Sequence, residues 1–254
     1  MSRTPHFVCF RWGTLYPAVY VERLYRSVCQ WFPEPFEFHC FTDRPLELPS
    51  DVHQHELVLG QPFSGNWNKE RVFSRGFLGL EPGTPIIVMD LDVLVTGDLG
   101  FLVNDLPDEP LVMAPDGYKR RQGKGHGSVF RVWAGAFPEV WEDLLAADYD
   151  ALTRELGGER EQKWLDRYFP AGKVALYPAG HVVSYKYHCG SMGAKPLGKR
   201  AAHWGVTSAV WGQARVPDGA RVVCFHGKPD MEDVADRRWG WWRWAPFVRE
   251  FWLV

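Results

Sequence analysis

Short apolar runs alternate along this chain with segments whose apolar residues recur every three or four positions. HFVCF at 6–10 predicts a buried strand. In AVYVERLYRSVCQWF at 18–32 the apolar positions 21, 24, 25, 28 and 32 keep helical spacing, so an amphipathic helix follows, ended by Pro33 and Pro35. EFHCFT at 37–42 and the alternating VHQHELV at 52–58 predict two further strands on either side of a DRP turn. NWNKERVFSRGFL at 66–78 reads as a helix, PIIVMDLDVLV at 85–95 as the strongest strand, and LVMAPD at 111–116 as another. The glycine-rich GYKRRQGKGHGS after Asp116 predicts a mobile loop, and helices are expected at 137–156 and 160–169. VALYP, VVSY and RVVCFHGKPD supply the last strands. Repeated β-α-β order predicts an α/β fold, a mostly parallel sheet with helices on both faces, whose ligands sit beyond the carboxyl ends of the strands. No repeat or linker divides the 254 residues, so a single domain is expected over 1–236, followed by an arginine- and tryptophan-rich segment at 237–254.

Composition narrows the function classes. The net charge of −2 gives no global basic field, which argues against a nucleic-acid partner and requires any polyanion site to be local. Five cysteines, an odd number with no CxxC pair, lie mostly in apolar runs and predict neither a disulfide framework nor a zinc knuckle. No signal peptide and no apolar stretch of about 20 residues is evident, so a cytoplasmic location is expected.

Two polar motifs follow apolar strands. Strand alternation would place Asp90 and Asp92 on one face and Leu91 on the other. Two neighbouring half-buried carboxylates need compensation, and a hard divalent cation such as Mn²⁺ or Mg²⁺, sharing its coordination with phosphate oxygens, provides it. Near the other end, CFHGKPD at 224–230 offers His226 as a nitrogen ligand, Gly227 for close backbone approach to a phosphate, and Lys228 as a point charge. The competing reading of each motif is a strand end that only caps or turns.

The VMDLDVLVTGDL segment, the late FHGKP turn and an acidic-Gln pair on an intervening helix resemble the retaining GT-A glycosyltransferases of the glycogenin and lipopolysaccharide-galactosyltransferase type. The resemblance covers about residues 6 to 230 and extends to bacterial glycosyltransferases with WNK and SYK segments. It implies a GT-A, Rossmann-like fold and metal-dependent transfer of a hexose, with retention, from a nucleotide sugar (a UDP-sugar by family default) to a glycan or glycolipid hydroxyl. It implies Mn²⁺ or Mg²⁺ on Asp90, Asp92 and His226, diphosphate contacts from Gly227 and Lys228, and the nucleoside base near Phe10, Arg11, Gly13, Thr14 and Tyr16. Lys69 corresponds to a lysine that reaches sugar or phosphate, and Glu161-Gln162 to the family's Asp-Gln pair beside the reacting sugar. The family's Asn-Ser-Gly segment corresponds loosely to Gly127-Ser128, and its His-x-x-Gly-x-x-Lys-Pro motif is compressed here to His-Gly-Lys-Pro.

Other readings stay open. A haloacid-dehalogenase-type phosphatase would use Asp90 as nucleophile, although that motif usually lies near the N-terminus. A non-catalytic nucleotide-sugar-binding protein would hold the same ligand without turnover. The basic loop, with Lys119, Arg120, Arg121, Lys124 and His126, is either a lid over a diphosphate or a solvated surface loop. The tail RRWGWWRWAPFVREFW at 237–252 is either a helix packing its rings on the domain or a peripheral contact with the inner face of a membrane.

Overall fold

The computed structural model describes residues 3–60, 65–117, 121–157, 161–192 and 212–252. Lys119 and Arg120 of the basic loop lie outside them. Among the described residues, seven strands form the central sheet, in the order β3-β2-β1-β4-β7-β6-β8. They are β1 (His6–Arg11), β2 (Glu37–Thr42), β3 (Val52–Glu56), β4 (Pro85–Met89), β6 (Leu111–Pro115), β7 (Gly125–Trp133) and β8 (Ala175–Leu176). Strands β3, β2, β1 and β4 are mutually parallel, and β7 runs antiparallel between β4 and β6. A smaller sheet joins β5 (Val93–Val95), β10 (Val222–Cys224) and β9 (Val182–Ser184).

The two faces of the central sheet bury separate cores, because alternate residues of each strand point to opposite sides. Phe7 and Cys9 of β1 pack with Val21, Leu24 and Val28 of helix α1 (Ala18–Trp31). Val8 and Phe10 face the opposite core, with Trp67, Phe73, Phe130 and Trp164. The tail joins the first core: Val248 is fully buried, and the Trp252 ring lies edge-on to Tyr20 at 5.0 Å. Packing rather than exposure is thus the fate of that end of the tail, while Trp239, Trp241 and Trp244 remain exposed. No helix among the described residues is long and apolar enough to cross a membrane.

The structure revises the predicted elements where local pairing overrides pattern. The apolar run at 85–95 is two strands in two sheets, not one. The amide of Asp90 donates to the Ser128 carbonyl at 2.8 Å, prolonging the β4–β7 ladder. Two residues later the Asp92 carbonyl accepts from Phe225 at 3.0 Å, beside β10. Asp90-Leu91-Asp92 is therefore a seam between sheets, pinned by Leu91, which is 4% exposed.

The glycine-rich stretch is not a loop throughout: from Gly125 it is β7, next to the centre of the sheet. Its glycines serve close approach. A Cβ at Gly125 would lie 2.5 Å from Met113 Sδ, and one at Gly127 would lie 3.0 Å from Glu161 Oε1. The segment read as a helix at 66–78 is helical, as a 3-10 helix over Gly65–Phe73 and a short one at Phe77–Gly79. The long helix expected at 137–156 is two, α3 (Glu139–Ala146) and α4 (Tyr149–Leu156), after a four-residue α2 (Phe101–Asn104). Asp148 causes the break: its side chain accepts from the Ala151 amide at 2.7 Å, capping a new helix.

Candidate active site

A cavity of about 370 Å³ opens at the carboxyl ends of β1 and β4, where the strand order predicted a ligand. Asp90, Asp92 and His226 all line it, although they come from the inter-sheet seam and from the turn after β10. Lys69, Glu161 and Gln162 line it as well, the last two from the start of α5 (Glu161–Tyr168).

Lys69 organises one wall. It is 5% exposed, and its Nζ lies 3.0 Å from Asp90 Oδ1, 3.0 Å from Glu161 Oε1 and 3.3 Å from the Gly127 carbonyl. Burial opposes its charge, but Asp90 and Glu161 outweigh burial and hold the ammonium above its ordinary pKa. Burial likewise works against the Glu161 carboxylate, and Lys69 more than offsets it, so this carboxyl stays below its usual range. The Gln162 side chain is spent on β7: its Oε1 accepts from the Gly127 amide at 2.8 Å and its Nε2 donates to the Gly125 carbonyl at 3.0 Å. That clamp explains why 125–127 is strand, and it fixes the start of α5 beside Lys69.

The opposite wall has a different balance. Asp92 Oδ2 accepts from the Gly227 amide at 3.2 Å. Burial, then the charge of Asp90, pushes the Asp92 carboxyl up to about 6. His226 takes the left-handed conformation, with φ 57°. Burial, then His126 and Lys186, pushes its imidazole down to about 3, so it is neutral with a nitrogen lone pair available. Its ring meets that of His126 edge-on at 4.5 Å. Carboxylate oxygen and neutral imidazole nitrogen are ligand types that a divalent cation such as Mn²⁺ accepts. Among the described residues, however, no group of three His, Cys, Asp or Glu side chains is placed to hold a metal ion.

The remaining candidates divide. Phe10 and Tyr16 line the cavity, as do Trp12 and Leu15, which the sequence reading did not single out. Arg11 and Gly13 shape the turn instead: Asp43 Oδ1 accepts from Arg11 at 3.0 Å, and Asp43 Oδ2 from the Gly13 amide at 3.0 Å. Thr14 is exposed and outside the lining. Gly227 is in the lining; Lys228 is not, and its ammonium sits 2.9 Å from both Asp230 and Asp233. Arg121 and Lys124 of the basic loop reach Asp166 on α5, each at 2.8 Å. His126 and Ser128 of β7 also face the cavity. Their signal was a polar pair opening the apolar run VFRVW.

No protein-family model matches the chain, and no curated protein matches it by sequence. Solved structures do match. The galactosyltransferase LgtC, solved in complex with donor and acceptor sugar analogues, superposes with a TM-score of 0.56 at 14% identity, over 89% of this chain and 88% of that one. The glycosyltransferase GlyE of Streptococcus pneumoniae superposes with a TM-score of 0.64 at 14% identity, over the whole chain but only 61% of GlyE. The chain has the GT-A fold of these enzymes, a mixed and mostly parallel sheet flanked by helices.

Proposed function

We propose that this protein is a metal-dependent glycosyltransferase of the glycogenin and lipopolysaccharide-galactosyltransferase type. It moves a hexose from a nucleoside-diphosphate sugar, by default a UDP-sugar, to a glycan or glycolipid hydroxyl. One observation carries the reading: Asp90, Asp92 and His226, from distant parts of the chain, line one cavity together with the Lys69–Glu161 pair. The GT-A fold shared with LgtC and GlyE supports it.

A divalent cation held by Asp90, Asp92 and His226 would neutralise charge on the departing diphosphate. The protein's own groups do the rest. Gly227 lets the turn approach a phosphate without a side chain in the way. The aromatic floor of Phe10, Trp12 and Tyr16 offers apolar area for a base. Lys69 keeps Glu161 ionised at neutral pH and aims it into the cavity, where a carboxylate stabilises positive charge developing at a reacting sugar carbon. Gln162, clamped on β7, keeps Glu161 in place.

Slow hydrolysis of a nucleotide sugar tests the reading. Incubated with a panel of UDP-, GDP- and ADP-hexoses, the protein should release nucleoside diphosphate from at least one of them when Mn²⁺ is present. Chelation should stop the reaction and His226→Ala should lose it. Turnover that persists after chelation, or that survives His226→Ala, would overturn the assignment.

A further inference from the structure

The compressed late turn leaves a question of charge. Two negative phosphates arriving beside Asp92 and His226 need a cation from the protein, and the residue that the turn offers, Lys228, is already held between two carboxylates. Lys69 is in the same position, between Asp90 and Glu161. A lysine neutralised twice has little attraction left for a further anion.

Lys186 differs from both. It lies on the four-residue helix α6 (Tyr185–His188), which directly follows β9. Strand β9 pairs in parallel with β10, with Ser184 beside Cys224. Two residues further on, the register brings Lys186 and His226 out side by side at the same end of the small sheet. The Lys186 Nζ donates to the His226 carbonyl at 2.7 Å. It sits 5.7 Å from the centre of the Trp242 ring, which fixes its approach. An ammonium has three N–H donors, and this contact with a neutral carbonyl uses one. Like Lys228, Lys186 lies just outside the cavity lining, reaching it through the His226 turn; but of these three lysines it is the one with no carboxylate hydrogen-bonded to it among the described residues.

We propose that Lys186, rather than Lys228, is the cation that binds the donor's diphosphate on the His226 side of the cavity. The proposal rests on the transferase reading above. It also explains how the chain dispenses with the longer spacing of the late motif: the charge is supplied by the neighbouring strand, and Lys228 serves instead to tie the turn to Asp230 and Asp233. The SYK segment carried a signal for this, a lysine at the exit of an apolar strand, the same position that singled out Asp90 and His226.

Calorimetric titration of the full chain in Mn²⁺ tests it, using whichever of UDP, GDP and ADP the wild type binds most tightly, and the matching monophosphate. A lost charge-assisted contact corresponds to about 10- to 100-fold in affinity. Lys186→Met and Lys186→Gln should each weaken the diphosphate by that factor and the monophosphate by less. Lys186→Arg should return to within a few-fold of wild type, and Lys228→Met should change little. Lys186→Gln can still donate to the His226 carbonyl, so wild-type affinity in that variant would reduce Lys186 to a prop for the turn and overturn the proposal. A loss confined to Lys228→Met would overturn it too. If Lys186→Met does not fold, the Gln and Arg variants decide. Failure of the wild type to bind any of the three diphosphates would overturn the transferase reading itself, a different outcome from tight wild-type binding that Lys186 does not affect.

Discussion

The cavity and the strands β1–β3 bury ionisable side chains in opposite ways. At the cavity the groups have mixed sign, and Lys69 stands between Asp90 and Glu161. On one face of β1–β3 the ionisable groups around buried His39 are imidazoles: half-buried His6 and His55, and exposed His53. His39 Nε2 lies 2.9 Å from His6 Nδ1, and His39 Nδ1 lies 2.9 Å from His55 Nε2. The rings of His6, His53 and His55 surround that of His39 with centroids 5.1 to 5.2 Å away. Within the His6–His39–His55 chain each contact takes one donor and one acceptor, and His53 at its exposed edge pairs with Glu37 at 2.7 Å. The difference teaches what each region is for. The histidine chain satisfies itself and offers nothing to a ligand. The cavity is balanced on the Lys69 side and unbalanced at Asp92, and that imbalance is what a cation and a diphosphate would complete.

The largest expected effect comes from breaking the balanced side. Lys69→Met leaves Asp90 and a nearly buried Glu161 without their shared cation, and removing one partner of a buried ion pair costs about 3–5 kcal/mol. Urea denaturation at pH 7 should register most of that loss. Adding Glu161→Gln to Lys69→Met should recover part of it, because the stranded charge is removed. A loss below about 1 kcal/mol would mean that water already screens the cluster, as it does for exposed pairs.

The histidine side should break with pH. Burial, then His6, His55 and His53, pushes His39 down to about 3, against an unfolded value of about 6.5. The folded value is the lower one, so the unfolded chain takes up the proton first. The His39 contribution is therefore intact above about pH 6.5 and declines as the pH falls towards 3. Between pH 6.5 and 4.5 this amounts to about 2–3 kcal/mol at 1.36 kcal/mol per unit. His39→Gln, which does not titrate, lacks this contribution, so the difference between its denaturation curves and those of wild type should change by that amount between pH 6.5 and 4.5. An unchanged slope would place the acid sensitivity elsewhere.

What could be read from the sequence follows the same division. Apolar periodicity located β1, α1, β2, β3 and β6 within a few residues, because these elements bury a regular stripe or face. It joined β4 to β5, because nothing in IIVMDLDVLV marks a change of sheet; the change is enforced by Ser128 and Phe225, which pair with the seam from far along the chain. It also read Gly125 and Gly127 as flexible, when Met113 and Glu161 leave no room there for a side chain. At the site, residues that face the cavity directly from a strand exit were legible: Asp90, Asp92 and His226. Asp43, which holds the turn after β1, was not, because its role depends on strand adjacency rather than on a local motif; Lys186 sat at a strand exit like the others, but only the β9–β10 pairing brings it beside His226.

The smallest effect sharpens the comparison most, because its sign is reversed. Asp92 in the folded protein sits at about 6, above the unfolded value of about 3.9. The folded protein holds its proton longer, so this residue destabilises the fold above pH 6, and the penalty disappears as the pH falls towards 4. Asp92 is half-buried, so solvent reduces the penalty to about 2 kcal/mol at pH 7. Asp92→Asn, measured with a chelator present, should therefore be more stable than wild type at pH 7 and converge with it near pH 4, although it removes a proposed cation ligand. Over pH 4–6 the Asp92 and His39 contributions oppose each other, so the wild-type profile should be flatter than that of either variant. Asp92→Asn should lose stability on acidification over this range and His39→Gln should gain it. If Asp92→Asn instead lost stability at neutral pH, the carboxylate would be satisfied by the protein alone, and the cavity would have no charge deficit for a cation to fill.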